Sequence, residues 1–178
     1  MPDTSISITG TIKDVESLED LVTAIDCYKP LVDWGGPQIS SEAEARSLIA
    51  ETVASGAPLN LYYDVSTSFS RLTETCRNIG LAYVLSEDVD EEYSMPGRTE
   101  VYRPDTQQVI SVVGSDLAEG VMIPVKDMMP LIQAGKTDEL VEMIRSAADI
   151  SHGLPKSLSA APELVEELNR ERTVPLAR

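Results

Sequence analysis

The chain is poor in the side chains from which most catalytic and metal sites are built. Its 178 residues include one histidine and two cysteines. Metal sites made from nitrogen and sulfur need such ligands in clusters at short spacing. Cys27 and Cys76 stand far apart with no CxxC spacing, and neither sits in a nucleophile motif that His152 would serve as base. They read as free thiols of a reducing, cytoplasmic compartment. Aromatic residues make up 4% of the chain, so the core must be aliphatic. No apolar run approaches the roughly 20 residues that a membrane-crossing helix needs. The opening Met-Pro-Asp-Thr-Ser lacks a basic start, which sets aside a secretory signal. Both phosphate-cradling glycine patterns, GxGxxG and GxxxxGK[ST], are missing. Bases are scarce too: 14 Lys and Arg face 30 Asp and Glu, a formal net charge of −16. Holding a nucleic-acid backbone takes a basic face that displaces counterions, so no direct nucleic-acid binding is expected.

What is present is an acidic chain with enough apolar residues, 42%, for one domain with a real core. The acid weight is uneven. Residues 81–120 hold nine acids and two bases, whereas residues 121–178 hold nine and seven. Patterning places a single α/β domain over residues 1–150 and a C-terminal tail with a short amphipathic helix over 151–178.

Within the domain, the period of two over residues 5–12 predicts a half-buried strand. Asp14 then caps a helix whose apolar stripe is Val15, Leu18, Leu21, Val22, Ile25 and Tyr28, closed by Pro30. Gly35-Gly36-Pro37 marks a turn. Ser41 and Glu44 have capping-box spacing at the start of a second helix that Gly56 stops. Residues 58–65 read as a strand, 67–79 as a helix with Gly80 as its left-handed stop, and 81–86 as a strand. That strand–helix–strand unit predicts a parallel crossover. Strands at 99–103 and 108–113 make a hairpin around Pro104-Asp105-Thr106. Further helices begin near Asp127, with Pro130 in the first turn, and at Thr137. The expected fold is α+β: a mixed sheet of about five strands, with one β-α-β crossover and an antiparallel hairpin, packed by helices.

Two stretches carry candidate chemistry. In Asp64-Val65-Ser66-Thr67-Ser68, one carboxylate and two hydroxyls offer hard oxygen ligands of the kind Mg²⁺ takes. The segment resembles the DxSxS pattern of the metal-ion-dependent adhesion site in von Willebrand factor A-like domains. The resemblance covers about twenty residues and implies Mg²⁺ held by Asp64, Ser66 and Ser68. That family adds a Thr and an Asp from later loops, which have no assigned counterparts here. The plainer reading is that Ser66 or Thr67 caps the following helix. In the second stretch, Glu87, Asp88, Asp90, Glu91 and Glu92 crowd five carboxylates into six residues without EF-hand spacing. They form a solvated, self-repelling loop, a surface for a basic partner, or a cluster that gathers Ca²⁺. Three lesser features remain. Trp34 is a gap filler between helices or a binding anchor. Met122, Met128, Met129 and Met143 are flexible core fillers or an adaptable apolar face. Leu164, Val165 and Leu168 line a tail helix that docks on its own domain or in a partner's groove.

The first functional expectation is a non-enzymatic acidic protein that binds and inhibits, or masks, a basic partner whose own ligand is nucleic acid. Its contacts would be Glu87, Asp88, Asp90, Glu91 and Glu92, with Glu16, Glu19 and Asp20 of the first helix behind them. In size, acidity and lack of catalytic motifs the chain resembles bacterial immunity proteins and phage-encoded anti-defence inhibitors, a likeness of composition. The second is a Mg²⁺-dependent ligand-binding site at Asp64, no other cofactor being expected. The third is a homo-oligomer subunit that covers its methionine face.

Overall fold

The computed structural model describes residues 4–63, 69–88, 97–113, 125–141 and 154–172. Strand β1 (Thr4–Ile12) lies inside the sheet, and its alternation buries Ile6, Ile8 and Ile12 beneath the helices. Strands β2 (Leu59–Tyr63) and β3 (Ala82–Glu87) flank it, both antiparallel to it. Ile6 lies opposite Leu61 on one side and Leu85 on the other. β2 and β3 therefore run in one direction, as a crossover requires, with β1 inserted between them in a split β-α-β arrangement. The hairpin β4 (Arg98–Arg103) and β5 (Gln108–Val113) extends the order to β2-β1-β3-β4-β5. A short strand β6 (Leu158–Ala160) runs parallel to Gly10–Ile12 of β1. The fold class is α+β, with antiparallel neighbours throughout the five-strand path.

Helix boundaries follow local chemistry. α1 (Val15–Tyr28) begins where the Asp14 carboxylate accepts the Ser17 N–H at 2.8 Å. α2 (Glu42–Ser55) begins at Ser41, whose hydroxyl accepts the Glu44 N–H at 3.3 Å. α3 (Ser70–Ile79) ends at Gly80, which takes a left-handed φ of 75°. Leu81 N–H then closes on the Cys76 carbonyl at 2.8 Å, which drives the Leu81 side chain into the core. The start of α3 departs from the cap expected at Ser66 or Thr67. Phe69 occupies the cap position in left-handed backbone (φ 42°) and gives no side-chain bond. Instead, the Tyr28 hydroxyl reaches across from α1 and accepts the Arg71 N–H at 2.8 Å. Fully buried Phe69, against the Tyr28 ring at 5.2 Å and Tyr63 at 5.9 Å, outweighs the local preference for a hydroxyl cap. α4 (Val125–Gln133) starts two residues before Asp127, which puts Pro130 in its second turn rather than its first.

Helices α1, α2 and α3 share one core on the same side of the sheet, whereas α4 leaves Val125, Met129 and Ile132 exposed. α1 contributes Leu18, Leu21, Val22 and Ile25, α2 contributes Ala45 and Ile49, and α3 contributes Leu72 and Cys76. The amphipathic tail helix α5 (Pro162–Arg172) docks on its own domain: Leu164 and Leu168 join that core, as does Leu158 of β6. α5 packs along α2, and β6 is tied in by Leu158 N–H to the Ala57 carbonyl at 2.8 Å. Leu168→Ala should therefore destabilise the protein by about 2–5 kcal/mol, like Leu21→Ala in α1. Urea unfolding followed by circular dichroism measures both. A Leu168→Ala midpoint equal to wild type would mean that α5 is dispensable.

Candidate functional site

Among the described residues, the acids singled out by sequence do not form one patch. Glu16, Glu19 and Asp20 are exposed on the outer face of α1, because its apolar stripe faces inward. Glu19 is paired with Arg46 of α2, which ties the outer surfaces of the two helices together. Glu87 is half-buried at the end of β3, and Asp88 beyond it is exposed. Glu87 lies opposite Thr4, the first residue of β1, whereas α1 begins just after the last. Glu87 and the start of α1 thus lie at opposite ends of β1, a strand of nine residues, about 26 Å. Asp90, Glu91 and Glu92 lie outside the described residues, as do Asp64, Ser66, Ser68 and His152.

A groove that no motif announced lies between α2 and the segment 31–39. The segment is held by backbone pairing. Leu31 and Tyr62 exchange N–H···O bonds of 2.8 and 3.0 Å at the edge of β2, and Ile39 N–H bonds to the Pro30 carbonyl at 2.9 Å. Asp33 builds the turn between: its carbonyl accepts Gly36 N–H at 2.9 Å and its carboxylate accepts Trp34 N–H at 2.8 Å. Trp34 is 48% exposed, with its ring 4.6 Å from that of Tyr62. It is thus neither buried between helices nor free of packing. The groove holds about 380 Å³ and is lined by Val32, Pro37, Ile39 and Leu48, with Gln38, Ser47, Glu44 and Glu51 supplying polar atoms. The Glu44 carboxylate accepts from Ser40 N–H at 2.7 Å and from the Ser40 hydroxyl at 2.8 Å. Those bonds, the backbone one foremost, hold its pKa below the ordinary 4.5. The site therefore joins apolar walls to fixed negative charge.

A second polar cluster sits between α3 and strands β3, β4 and β5. On the helix side of the sheet, the row Leu61–Ile6–Leu85 continues to Glu100 and Ser111. Buried Glu100 accepts from the Tyr83 hydroxyl at 2.7 Å and from Arg98 Nη2 at 2.5 Å. Arg98 Nε donates to Ser111 Oγ at 2.9 Å, and Arg77 of α3 donates to the Tyr83 oxygen at 3.3 Å. Burial first, and then the Glu100 carboxylate, push the Tyr83 phenol up, so it stays a neutral donor. Each of these side chains has a partner, and the network locks α3, β3, β4 and β5 together. A glutamate at a core-facing position of β4 was its only trace in the sequence.

The thiols differ sharply. Cys76 is fully buried in the core, which pushes its pKa up to about 12. Cys27 is exposed, with Arg71 Nη1 3.7 Å from its sulfur. Among the described residues no three His, Cys, Asp or Glu side chains are grouped to hold a metal ion, and no helix is long and apolar enough to cross a membrane. In comparisons with known proteins the chain matches no family model, no curated protein sequence and no solved structure.

Two outcomes are expected. An aromatic disulfide reagent should titrate one thiol per native chain, Cys27, and the second only after unfolding. Two fast-reacting thiols would show that α3 is not packed as described. Acid should weaken the helix starts. The folded pKa values of Asp14 and Glu44 lie below the ordinary 3.8 and 4.5. Their ionised forms thus favour the folded state. That contribution is complete above the ordinary values and is lost as pH falls through the lower, folded ones. The Asp14→Asn, Glu44→Gln double variant should lose less melting temperature than wild type between about pH 5 and about pH 3. Parallel losses would deny the two carboxylates that role.

Proposed function

We propose that the protein acts by binding rather than by catalysis, and that its partner is a basic protein whose cationic, partly apolar segment enters the groove between α2 and residues 31–39. By occupying that segment it inhibits or masks a surface that the partner uses for nucleic acid. The reading rests on one observation: the groove combines the apolar side chains of Val32, Pro37, Ile39 and Leu48 with the carboxylates of Glu44 and Glu51. Apolar contact supplies the affinity, and the carboxylates select a cationic chain. The half-exposed Trp34 on the same loop offers the kind of aromatic anchor on which binding energy concentrates. Charge supports it over a longer range. A net −16 draws a basic partner in, and Arg46, the base on α2, is already engaged by Glu19. In this reading Glu16, Glu19 and Asp20 extend the acidic surface beside α2. Glu87 and Asp88, at the far end of the sheet, contribute field rather than contact.

Trp34 is the chain's single tryptophan and so reports on its own loop. An amphipathic peptide of alternating lysine and leucine should shift its emission saturably, and the affinity should fall as salt rises. Glu44→Gln and Glu51→Gln should each weaken binding about two- to fivefold, the scale of an exposed ion pair. If a glutamate–leucine peptide binds as well, or if neither substitution matters, the groove is not a site for cationic segments.

A further inference from the structure

We propose that β5 is a self-pairing edge, through which two copies of this chain join their sheets antiparallel about a two-fold axis centred on Ser111. The two edges of the sheet differ. At β2, Leu31 pairs with Tyr62 on the outer side through two backbone bonds. β5 ends the five-strand path, and among the described residues no strand lies beyond it. Such an edge offers unpaired N–H and C=O groups to another strand unless charge, proline or a bulge protects it. Among the described residues, β5 itself holds no charge, proline or bulge. Residues 106–115 carry no charge, although a quarter of the chain is charged and ten residues would ordinarily hold two or three such side chains. Val109 is 44% exposed on this strand.

The occupant follows from the sequence of the strand itself. A two-fold axis perpendicular to the sheet keeps the helix layers of both copies on one side, so residues of like parity must face each other. Centred on Ser111, that rule sets Val109 of one copy opposite Val113 of the other, Ile110 opposite Val112, and Ser111 opposite itself. Every pair but the central one is β-branched against β-branched, which favours antiparallel neighbours. A basic partner would meet no carboxylate along this stretch. Two copies each carrying −16 repel least where both are uncharged. Five facing residues make a small interface, so the dimer is weak and depends on concentration.

Salt separates this association from the groove. Screening relieves repulsion between like-charged copies, so raising salt should strengthen the dimer while weakening capture of a cationic segment. Sedimentation velocity of the unmodified full chain should show monomer giving way to dimer as protein and sodium chloride rise. In a Cys27→Ser background, Ser111→Cys should cross-link two copies under oxidised glutathione, since facing Cα atoms in an antiparallel pair lie within disulfide reach. Val109→Cys should not, because its two copies would stand about 13 Å apart along the strands. A monomer at every protein and salt concentration overturns the proposal. Equal cross-linking at both positions, or at neither, overturns it as well. None of these results bears on the peptide titration of the groove.

Discussion

Strand β1 has neighbours on both sides, and the rest of the molecule depends on that placement. β2 and β3 pair with its first half, and β6 replaces β2 as a partner of its last three residues. Ile6, Ile8 and Ile12 lie fully buried along it, each contributing roughly 1.5–3 kcal/mol of burial. The exchange of partners occurs at Gly10, whose φ of 117° is closed to other residues. A Cβ there would come within 3.2 Å of Leu81 Cδ2. Gly10 N–H reaches the Ser157 carbonyl at 2.9 Å, and the Ile12 carbonyl accepts Ala161 N–H at 2.8 Å, so β6 is held at both ends. Without β1, the helices would have no common floor.

Once the helices are packed, their outer faces decide where charge can go. α1 and α2 turn Glu16, Glu19, Asp20, Glu42, Glu44 and Glu51 outward because their apolar stripes are committed to one core. Glu19–Arg46 relieves part of the crowding between them. Segment 31–39 returns along β2 and stops short of α2, which leaves a groove bordered by acids. On the opposite flank the core gives way to the Tyr83–Glu100–Arg98 network, which Arg77 of α3 joins. Charge is thus solvated at one border of the core and internally neutralised at the other.

Signals within a few residues were legible in the sequence. Asp14, Ser41, Gly56 and Gly80 mark helix ends where the structure has them, and the Pro104–Thr106 turn joins two strands as expected. Each is a local bargain between one side chain and nearby backbone groups, so spacing alone reveals it. Features that need distant partners were not. The insertion of β1 between β2 and β3 depends on pairing across more than fifty residues, whereas the crossover signal is confined to 58–86. Phe69 starts α3 because Tyr28 and Tyr63 enclose it, and neither is its neighbour in the chain. Of the candidate site, the acids of α1 and the loop tryptophan were visible. The groove was not, because Val32, Pro37, Ile39 and Leu48 belong to no common period.

The union of β1 with β6 also dictates when the molecule can finish folding. Thr11 and Ser159 share a side-chain hydrogen bond although 148 residues separate them. A chain emerging from the ribosome has made β1 through β5 and most of its helices before that contact becomes available. Until then the last three residues of β1 lack one neighbour, and the face of α2 that awaits α5 stays wet. Folding of this sheet therefore includes a late, long-range closure, a step that topology makes slow and before which the chain is more open to proteases and chaperones.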